Sequence, residues 1–178
     1  GGMANTFLLA EGMEIGASLV EPNMVETAET IRRRATTRGC RIILPRDYLV
    51  AHKLATGVPH RVAVAGEVTS SDMILDAGPI SAREVAAHLA SCRTIVWNGP
   101  LGAFEFPPFD SATNIVAQAA ADLTADGRIL SVAGGGDTLA ALANAGVGNQ
   151  FSYVSTAGGA FLEWLEGRVL PGVEALRH

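Results

Sequence analysis

The sequence has few of the residues that mark secreted, membrane-bound or nucleic-acid-binding proteins. Its 178 residues include two cysteines, Cys40 and Cys92, whose isolation predicts free thiols rather than a disulfide framework. Lys53 is the single lysine, and the net charge of −5 provides no broad basic field for nucleic acid or an anionic membrane. No apolar run reaches the roughly 18 residues of a membrane span. We therefore expect a cytoplasmic domain without nucleic-acid or membrane partners.

Several common catalytic motifs are also missing. The sequence has no G-x-x-x-x-G-K-[ST] phosphate loop, and no G-x-G-x-x-G turn is followed by an acidic residue at the dinucleotide-binding distance. The four histidines have no metal-ligand spacing, and Ser155 lacks a G-x-S-x-G context. These absences argue against a P-loop protein, a nicotinamide-dependent oxidoreductase and a serine hydrolase.

The residues that are present favour a compact α/β domain. Apolar residues make up 48% of the chain and charged residues 17%, which is typical of a well-buried fold. Apolar runs predict strands at 40–44, 61–65, 94–97, 128–132 and 151–155, and those at 40–44 and 94–97 are predicted to be buried. Residues 73–76 form a further brief apolar segment before a turn. Helical periodicity and capping signals predict helices at 4–10, 22–38, 81–92, 111–125, 139–145 and 160–166. Ser81 and Glu84 have the spacing of a capping box at the start of the third of these helices. This alternation predicts a parallel sheet covered by helices on both faces.

One stretch, residues 131–138, combines a strand end, three glycines and a helix start. Glycines 134–136 leave main-chain N–H groups accessible, and the first turn of a helix favours an anion such as phosphate. Asp137 suits either a helix cap or a divalent cation beside that phosphate. Taken alone, the stretch fits a tight turn with an Asp cap equally well.

Similar glycine-bearing turns recur along the chain. They lie at Gly1–Gly2, Asn98–Gly99, Gly134–Gly136 and Gly158–Gly159. Ligands of parallel α/β sheets bind at the carboxyl ends of the strands, where these turns fall. Four such turns at one edge favour a phosphate-rich nucleotide over a purely structural explanation.

The loop at 98–109 permits two interpretations. It is rich in glycine and proline, yet it carries Phe104, Phe106 and Phe109. The loop either folds back over the core, or it forms one wall of a pocket for a flat ligand. In the second case Glu105 would accept hydrogen bonds from ligand hydroxyls.

Several segments resemble the phosphoglycerate kinase family in sequence and in order. The matching segments are GGMANTF at 1–7, VWNGPLGAFE at 96–105, GGGDT at 134–138, STAGGA at 155–160, LEWLEG at 162–167 and LPGV at 170–173. The family has two Rossmann-like domains joined by a hinge, and the likeness covers the C-terminal, nucleotide-binding one. The resemblance implies a Rossmann-like three-layer parallel sheet that is incomplete, because the domain's first strands would precede Gly1.

The resemblance also implies a set of site residues. Asp137 would bind the magnesium of the nucleotide, and Glu105 would bind the ribose. The adenine and ribose pocket would be lined by Gly2, Leu19, Ile74, Leu75 and Pro100. The phosphates would lie near Asn98, Thr138 and the glycines at 134, 135, 136, 158 and 159. The N–H groups of Gly136 and Gly159 would face the transferred phosphoryl group and act catalytically.

The activity implied is reversible phosphoryl transfer from 1,3-bisphosphoglycerate to ADP, with Mg²⁺ and ATP or ADP bound. The acceptor 3-phosphoglycerate would bind to a second, N-terminal domain, and the family is usually monomeric. We expect the 178 residues alone to be inactive, because that domain and the family's phosphate-binding lysines do not precede Gly1. Ile74 and Ala157 stand where the family has glycine. A non-catalytic Mg-nucleotide-binding module is the alternative.

Overall fold

The computed structural model describes residues 1–155, 159–160, 163 and 166–175. The helices are Gly2–Ala10 (α1), Val25–Thr37 (α2), Pro79–Leu89 (α3), Ser111–Ala125 (α4) and Gly136–Asn144 (α5), with short helical turns at Pro22–Met24 and Pro171–Glu174. The strands are Asp47–Ala51 (β1), His60–Val64 (β2), Met73–Ala77 (β3), Thr94–Asn98 (β4), Leu130–Gly134 (β5) and Tyr153–Ser155 (β6). The predicted α/β class is confirmed. Among the described helices, none is long and apolar enough to cross a membrane.

Strands β4, β5 and β6 form a parallel sheet in that order. Helix α4 buries the predicted apolar stripe, including Ala112, Val116 and Ala120, and α5 contributes Leu142 to the same core. Ile115 of that stripe is exposed instead. The prediction of a parallel sheet flanked by helices is confirmed for this half of the chain.

The other half contains an antiparallel sheet with the order β2-β1-β3, which the sequence analysis did not predict. The strand predicted at 40–44 is wrong, because regular pairing starts at Asp47. Within the described part of the chain no strand lies beside residues 40–45, and Pro45 has no N–H to donate. An apolar segment forms a β-strand only where another strand pairs with it, and the local sequence does not show whether such a partner exists.

Strand β3 lies at the edge of this sheet and is nevertheless well buried. Its outer side is covered at one end by the segment at 16–18, where Ala17 N donates to Asp72 O at 2.7 Å. At the other end Ala103 N donates to Leu75 O at 2.9 Å, so the loop after β4 runs along the strand. This cover joins the two sheets at the point where the glycine turns lie.

Strand β4 alternates between buried and exposed residues, whereas the sequence predicted a buried strand. Ile95 and Trp97 face the core, whereas Val96 is 49% exposed. The parallel sheet pairs β4 on one side with β5, and no described strand pairs with its other side. Because β4 lies at the edge of the described sheet, part of its apolar surface is exposed.

The phenylalanines of the 98–109 loop fold back over the core. Phe109 is fully buried against Ala51, Val58 and Leu75, and Phe106 packs against the same cluster. The first of the two interpretations of this loop therefore agrees with the structure. Phe106 and Phe109 thus pack between the loop and the core.

Helix α3 begins two residues earlier than predicted, and its cap comes from a distant strand. The Ser81–Glu84 capping box is wrong, because the helix starts at Pro79 and Ser81 already lies in its first turn. Asp47 accepts hydrogen bonds from Ile80 N at 2.9 Å and Ser81 N at 2.7 Å, and also from the Ser81 hydroxyl. The cap therefore fixes α3 to the antiparallel sheet.

Candidate functional site

The carboxyl ends of the three parallel strands form a continuous rim. Asn98 pairs in register with Gly134, and Gly134 pairs with Ser155. The chain turns immediately after two of these residues, at Gly99 with φ +93° and at Gly135 with φ +99°. Residues other than glycine rarely adopt such positive φ angles, so both turns depend on glycine. The register confirms the predicted common edge for the turns at Asn98–Gly99 and Gly134–Gly136.

Helix α5 points its amino-terminal end at this rim. Gly135 precedes the helix, and Gly136 and Asp137 form its first turn. Gly134 is buried as the last residue of β5, whereas Gly136 and Asp137 are exposed. The N–H groups of a first turn have no acceptor within their own helix. An accessible row of donors beside a carboxylate is an arrangement that can hold an anion together with a cation.

Thr138 holds two of the rim turns together. It is almost completely buried, and its hydroxyl accepts a hydrogen bond from Gly99 N at 2.7 Å. The carbonyl of Gly99 accepts a second bond from the indole Nε1 of Trp97, also at 2.7 Å. These bonds fix the turn after β4 against the start of α5. The structure thus gives Thr138 a supporting contact within the rim, in addition to its predicted place near phosphates.

A cavity of ≈ 510 Å³ lies next to the rim, between the start of α1 and the end of β4. Four of the predicted site residues, Gly2, Ile74, Asn98 and Pro100, line it. Most of the other lining residues are apolar, among them Ile43, Pro45, Val85 and Leu101. We refer to this space as the α1–β4 cavity. Its mostly apolar wall with a few polar groups is typical of a small-molecule site.

Three predicted pocket residues lie elsewhere. Leu19 contacts the Gly2 position but is 72% exposed and does not line the cavity. Leu75 faces the cluster around Phe109, because neighbouring residues of a strand point to opposite faces and Ile74 takes the cavity side. Glu105 is exposed on the loop after β4. The structure therefore brings only part of the predicted base and ribose pocket together.

The fourth glycine turn is incompletely described. Gly158 lies outside the described residues, as does Ala157. Gly159 is exposed at the start of a helical segment that follows β6. Strand β6 runs parallel to β5, so its last residue, Ser155, lies at the same end of the sheet as Gly134.

The fold agrees with comparisons to known proteins. The sequence model described as phosphoglycerate kinase matches residues 1–168. The chain belongs to the phosphoglycerate kinase family. This membership confirms the resemblance carried by the glycine-bearing segments.

Relatives in this family cover nearly all of the chain. It is 56% identical over 176 residues to a phosphoglycerate kinase of Rhodospirillum centenum, which covers 99% of this chain and 44% of that protein. It is 58% identical over 177 residues to one of Methylobacterium radiotolerans, with 99% and 44% covered. The chain thus spans less than half the length of these relatives.

Solved structures of the family share the fold. The phosphoglycerate kinase of Coxiella burnetii superposes with a TM-score of 0.93 at 44% identity, covering 99% of this chain and 44% of the other. That of Pyrococcus horikoshii gives 0.76 at 28% identity, covering 98% and 43%. The fold described above is therefore the fold of these phosphoglycerate kinases.

The rim carries one carboxylate at the place where the phosphoglycerate kinase resemblance puts a metal. Among the residues that the structure describes, no group of three or more His, Cys, Asp or Glu side chains is placed to hold a metal ion. Mg²⁺ is commonly held by one or two carboxylates together with phosphate oxygens and water. Asp137 is exposed beside the first-turn N–H groups of α5, so it fits this shared mode of binding.

Asp76 is a polar residue of the cavity wall that the sequence analysis missed. It is fully buried at the end of β3 and accepts hydrogen bonds from Ala112 N and Ala77 N, each at 2.9 Å. Burial raises the pKa of Asp76 to about 7, and the negative charge of Asp110 also raises it. The hydrogen bonds from Ala112 N and Ala77 N and the positive charge of the Gly1 amino group act to lower this pKa. A single acidic residue in an apolar strand is a weak sequence signal, and only its position in the cavity wall marks Asp76 as a candidate site residue.

Proposed function

We propose that these residues form the nucleotide-binding part of a phosphoglycerate kinase. The reaction is reversible transfer of the phosphoryl group of 1,3-bisphosphoglycerate to the terminal phosphate of ADP, which gives ATP and 3-phosphoglycerate. The observation that carries the proposal is the exposed first turn of α5, with Gly136 and Asp137, beside the aligned ends of β4 and β5. Family membership supports the choice of reaction.

In this proposal the backbone N–H groups of the rim provide most of the contacts to the phosphates. Phosphoryl transfer requires chiefly that the groups are positioned and that developing negative charge is stabilised. The N–H groups at Gly136 and Gly159 would donate to the transferred phosphoryl group, and Asn98 would donate to a neighbouring phosphate. Thr138 keeps the turns at fixed positions through its bond to Gly99 N.

Asp137 would hold Mg²⁺ together with the nucleotide phosphates, and the metal would neutralise part of the phosphate charge. The base and ribose would lie toward the α1–β4 cavity, against Gly2, Ile74 and Pro100. Glu105 would reach the ribose hydroxyls from the loop. Leu19, which packs on Gly2, would cover the nucleotide from its exposed position.

The phosphoglycerate side of the reaction requires residues beyond this set. Lys53, the single lysine, lies in the connection after β1 and does not line the α1–β4 cavity. We propose that a second domain supplies the basic groups for 3-phosphoglycerate, and that the 178 residues alone do not catalyse transfer. Domain closure would then bring the two substrates together and exclude water.

A coupled assay on the complete gene product that contains these residues tests the proposal. ADP and 1,3-bisphosphoglycerate are supplied with Mg²⁺, and ATP formation is followed through a linked enzyme. We expect magnesium-dependent formation of ATP, and no ATP from the 178-residue chain assayed in parallel. Tight MgADP binding by the gene product without any ATP formation would favour the alternative, a non-catalytic nucleotide-binding module.

A further inference from the structure

Asp76 lies where three parts of the site meet. Its carboxylate accepts one hydrogen bond from its own strand end, at Ala77 N, and one from the first turn of α4, at Ala112 N. It also lines the α1–β4 cavity while remaining 0% exposed. Among the described residues, no arginine, lysine or histidine forms an ion pair with it. Burying a charged group costs free energy unless the surrounding polar groups are positioned to form hydrogen bonds with it.

The loop after β4 packs directly on this carboxylate. A Cβ atom at Gly102 would lie closer than 3.0 Å to a carboxylate oxygen of Asp76, so backbone and carboxylate are in close contact. The same loop is attached by Ala103 N to Leu75 O and by Leu101 N to the Thr113 hydroxyl, at 2.9 and 3.1 Å. Asp76 therefore stands at the centre of the attachment between the loop, β3 and α4.

This loop carries residues that the proposed function uses. Pro100 lines the cavity at one end of the attached segment, and Glu105 follows it at the other. A shift at residue 102 would move both. The start of α4 would move with them, because Ala112 N is held by the same carboxylate.

We propose that Asp76 is a positioning residue for the nucleotide, which sets the loop of Pro100 and Glu105 against the α1–β4 cavity without itself binding the nucleotide. This inference rests on the proposed function, since it assumes that MgADP is the ligand. The ionised form is the better acceptor for two N–H groups, so it holds the loop more firmly than the neutral acid.

The charged groups that face Asp76 are few. In the 178-residue chain the Gly1 amino group lies on the α1 side and favours the carboxylate, whereas Asp110, just before α4, opposes it. Where residues precede Gly1, this nitrogen is a neutral peptide N–H and its charge does not act on Asp76. Burial is the largest influence, and it places the pKa of Asp76 at about 7. MgADP affinity should therefore fall between pH 8 and pH 6 more steeply in the native protein than in a variant that cannot ionise at residue 76.

The test uses the complete gene product and two variants, Asp76→Asn and Asp76→Ala. Asp122→Asn, an exposed carboxylate on the outer face of α4, is the matched control. MgADP affinity is measured by calorimetry at pH 6 and pH 8. Hydrogen–deuterium exchange of the segment at 99–112 is followed without nucleotide, so that the loop is observed independently of binding.

We expect Asp76→Ala to weaken MgADP binding roughly tenfold and to speed exchange in the 99–112 segment. Asp76→Asn should retain part of the affinity and should lose the extra pH dependence, while Asp122→Asn behaves as the native protein. If Asp76→Ala fails to fold, Asp76→Asn still decides the question through its exchange rates and pH response.

Two outcomes separate this inference from the proposed function. Native protein that binds MgADP, with Asp76 variants that match it in affinity, pH response and exchange, would overturn the positioning role alone. Native protein that binds no MgADP would overturn the proposed function, and the positioning role for this ligand with it.

Discussion

Gly102 shows how closely a single residue is constrained beside the α1–β4 cavity. Its φ is not in the left-handed region, so backbone conformation does not demand glycine. Space does, because an added Cβ would lie closer than 3.0 Å to Asp76 and to the carbonyl of Phe109. Real Cβ atoms essentially never approach other atoms so closely, and a backbone carbonyl cannot move aside easily. Packing, rather than turn geometry, therefore explains this glycine.

We predict that Gly102→Ala lowers the free energy of unfolding by about 2 kcal/mol, as overpacking of a filled interior commonly does. The matched control is Gly148→Ala, where the added Cβ would meet only ordinary contacts at 3.7 Å. That control should be neutral or slightly stabilising, because alanine reduces the freedom of the unfolded chain. Chemical denaturation of the two variants checks the prediction, and equal stability would show that the loop can shift freely at residue 102.

At the scale of elements, the cap of α3 ties a helix to a sheet. Asp47 lies on β1 and holds the N–H groups of Ile80 and Ser81. Gly78 must precede the helix, since a Cβ there would also overlap Asp47. Burial acts to raise the pKa of Asp47, but the bonds from the Ser81 hydroxyl and the two N–H groups outweigh it and keep this pKa below 3.8.

We predict that Asp47→Ala destabilises the protein by roughly 2 kcal/mol, because it removes the cap and leaves buried donors without an acceptor. The control is Glu84→Ala on the same helix, which breaks only the exposed ion pair with Arg46 and should change stability by less than about 1 kcal/mol. Thermal unfolding of both variants at pH 7 measures the difference.

The pH dependence of this cap follows from the lowered pKa. The ionised form is favoured in the folded state, so the contribution of Asp47 is complete above the ordinary pKa of 3.8. It is lost as the pH falls through the lowered value of the folded protein. The difference between native protein and Asp47→Ala should accordingly shrink in acid, and a constant difference down to pH 2 would contradict the assigned cap.

The elements that could be predicted from the sequence are those whose signals are local. Helix α4 was predicted with the correct bounds, because its apolar residues recur at helical spacing over 15 residues. The glycine turn at 134–136 was also located correctly. The strand at 40–44 and the capping box at Ser81 were wrong, because pairing partners and the Asp47 cap come from distant parts of the chain.

The candidate site was predictable to a similar extent and for the same reason. Glycines at strand ends and Asp137 are visible in the sequence, and their common edge follows from a parallel sheet. The role of Asp76 was not, since it depends on contacts with residues 102 and 112. Leu75 and Ile74 differ by one position along a strand, and only the pairing shows which of them faces the cavity.

At the scale of the whole molecule, two sheets meet at the glycine rim and leave the α1–β4 cavity between them. The antiparallel sheet is linked to the rim through the cover on β3, and the parallel sheet supplies the turns. Within the described residues one side of β4 has no partner strand, and Val96 is half exposed there. Since the chain spans 44% of a relative such as that of Rhodospirillum centenum, binding and catalysis are best measured on the complete gene product.

The most direct test of the account is calorimetric titration of that gene product with ADP, with Mg²⁺ present and after its removal by EDTA. We predict binding that depends on Mg²⁺ and weakens roughly tenfold or more in Asp137→Ala, because the rim then lacks the carboxylate that we propose holds Mg²⁺. Asp126→Ala, at the opposite end of β5, should bind as the native protein does. Equal affinity in Asp137→Ala and native protein, or binding unaffected by EDTA, would contradict the assignment of this rim as a magnesium–nucleotide site.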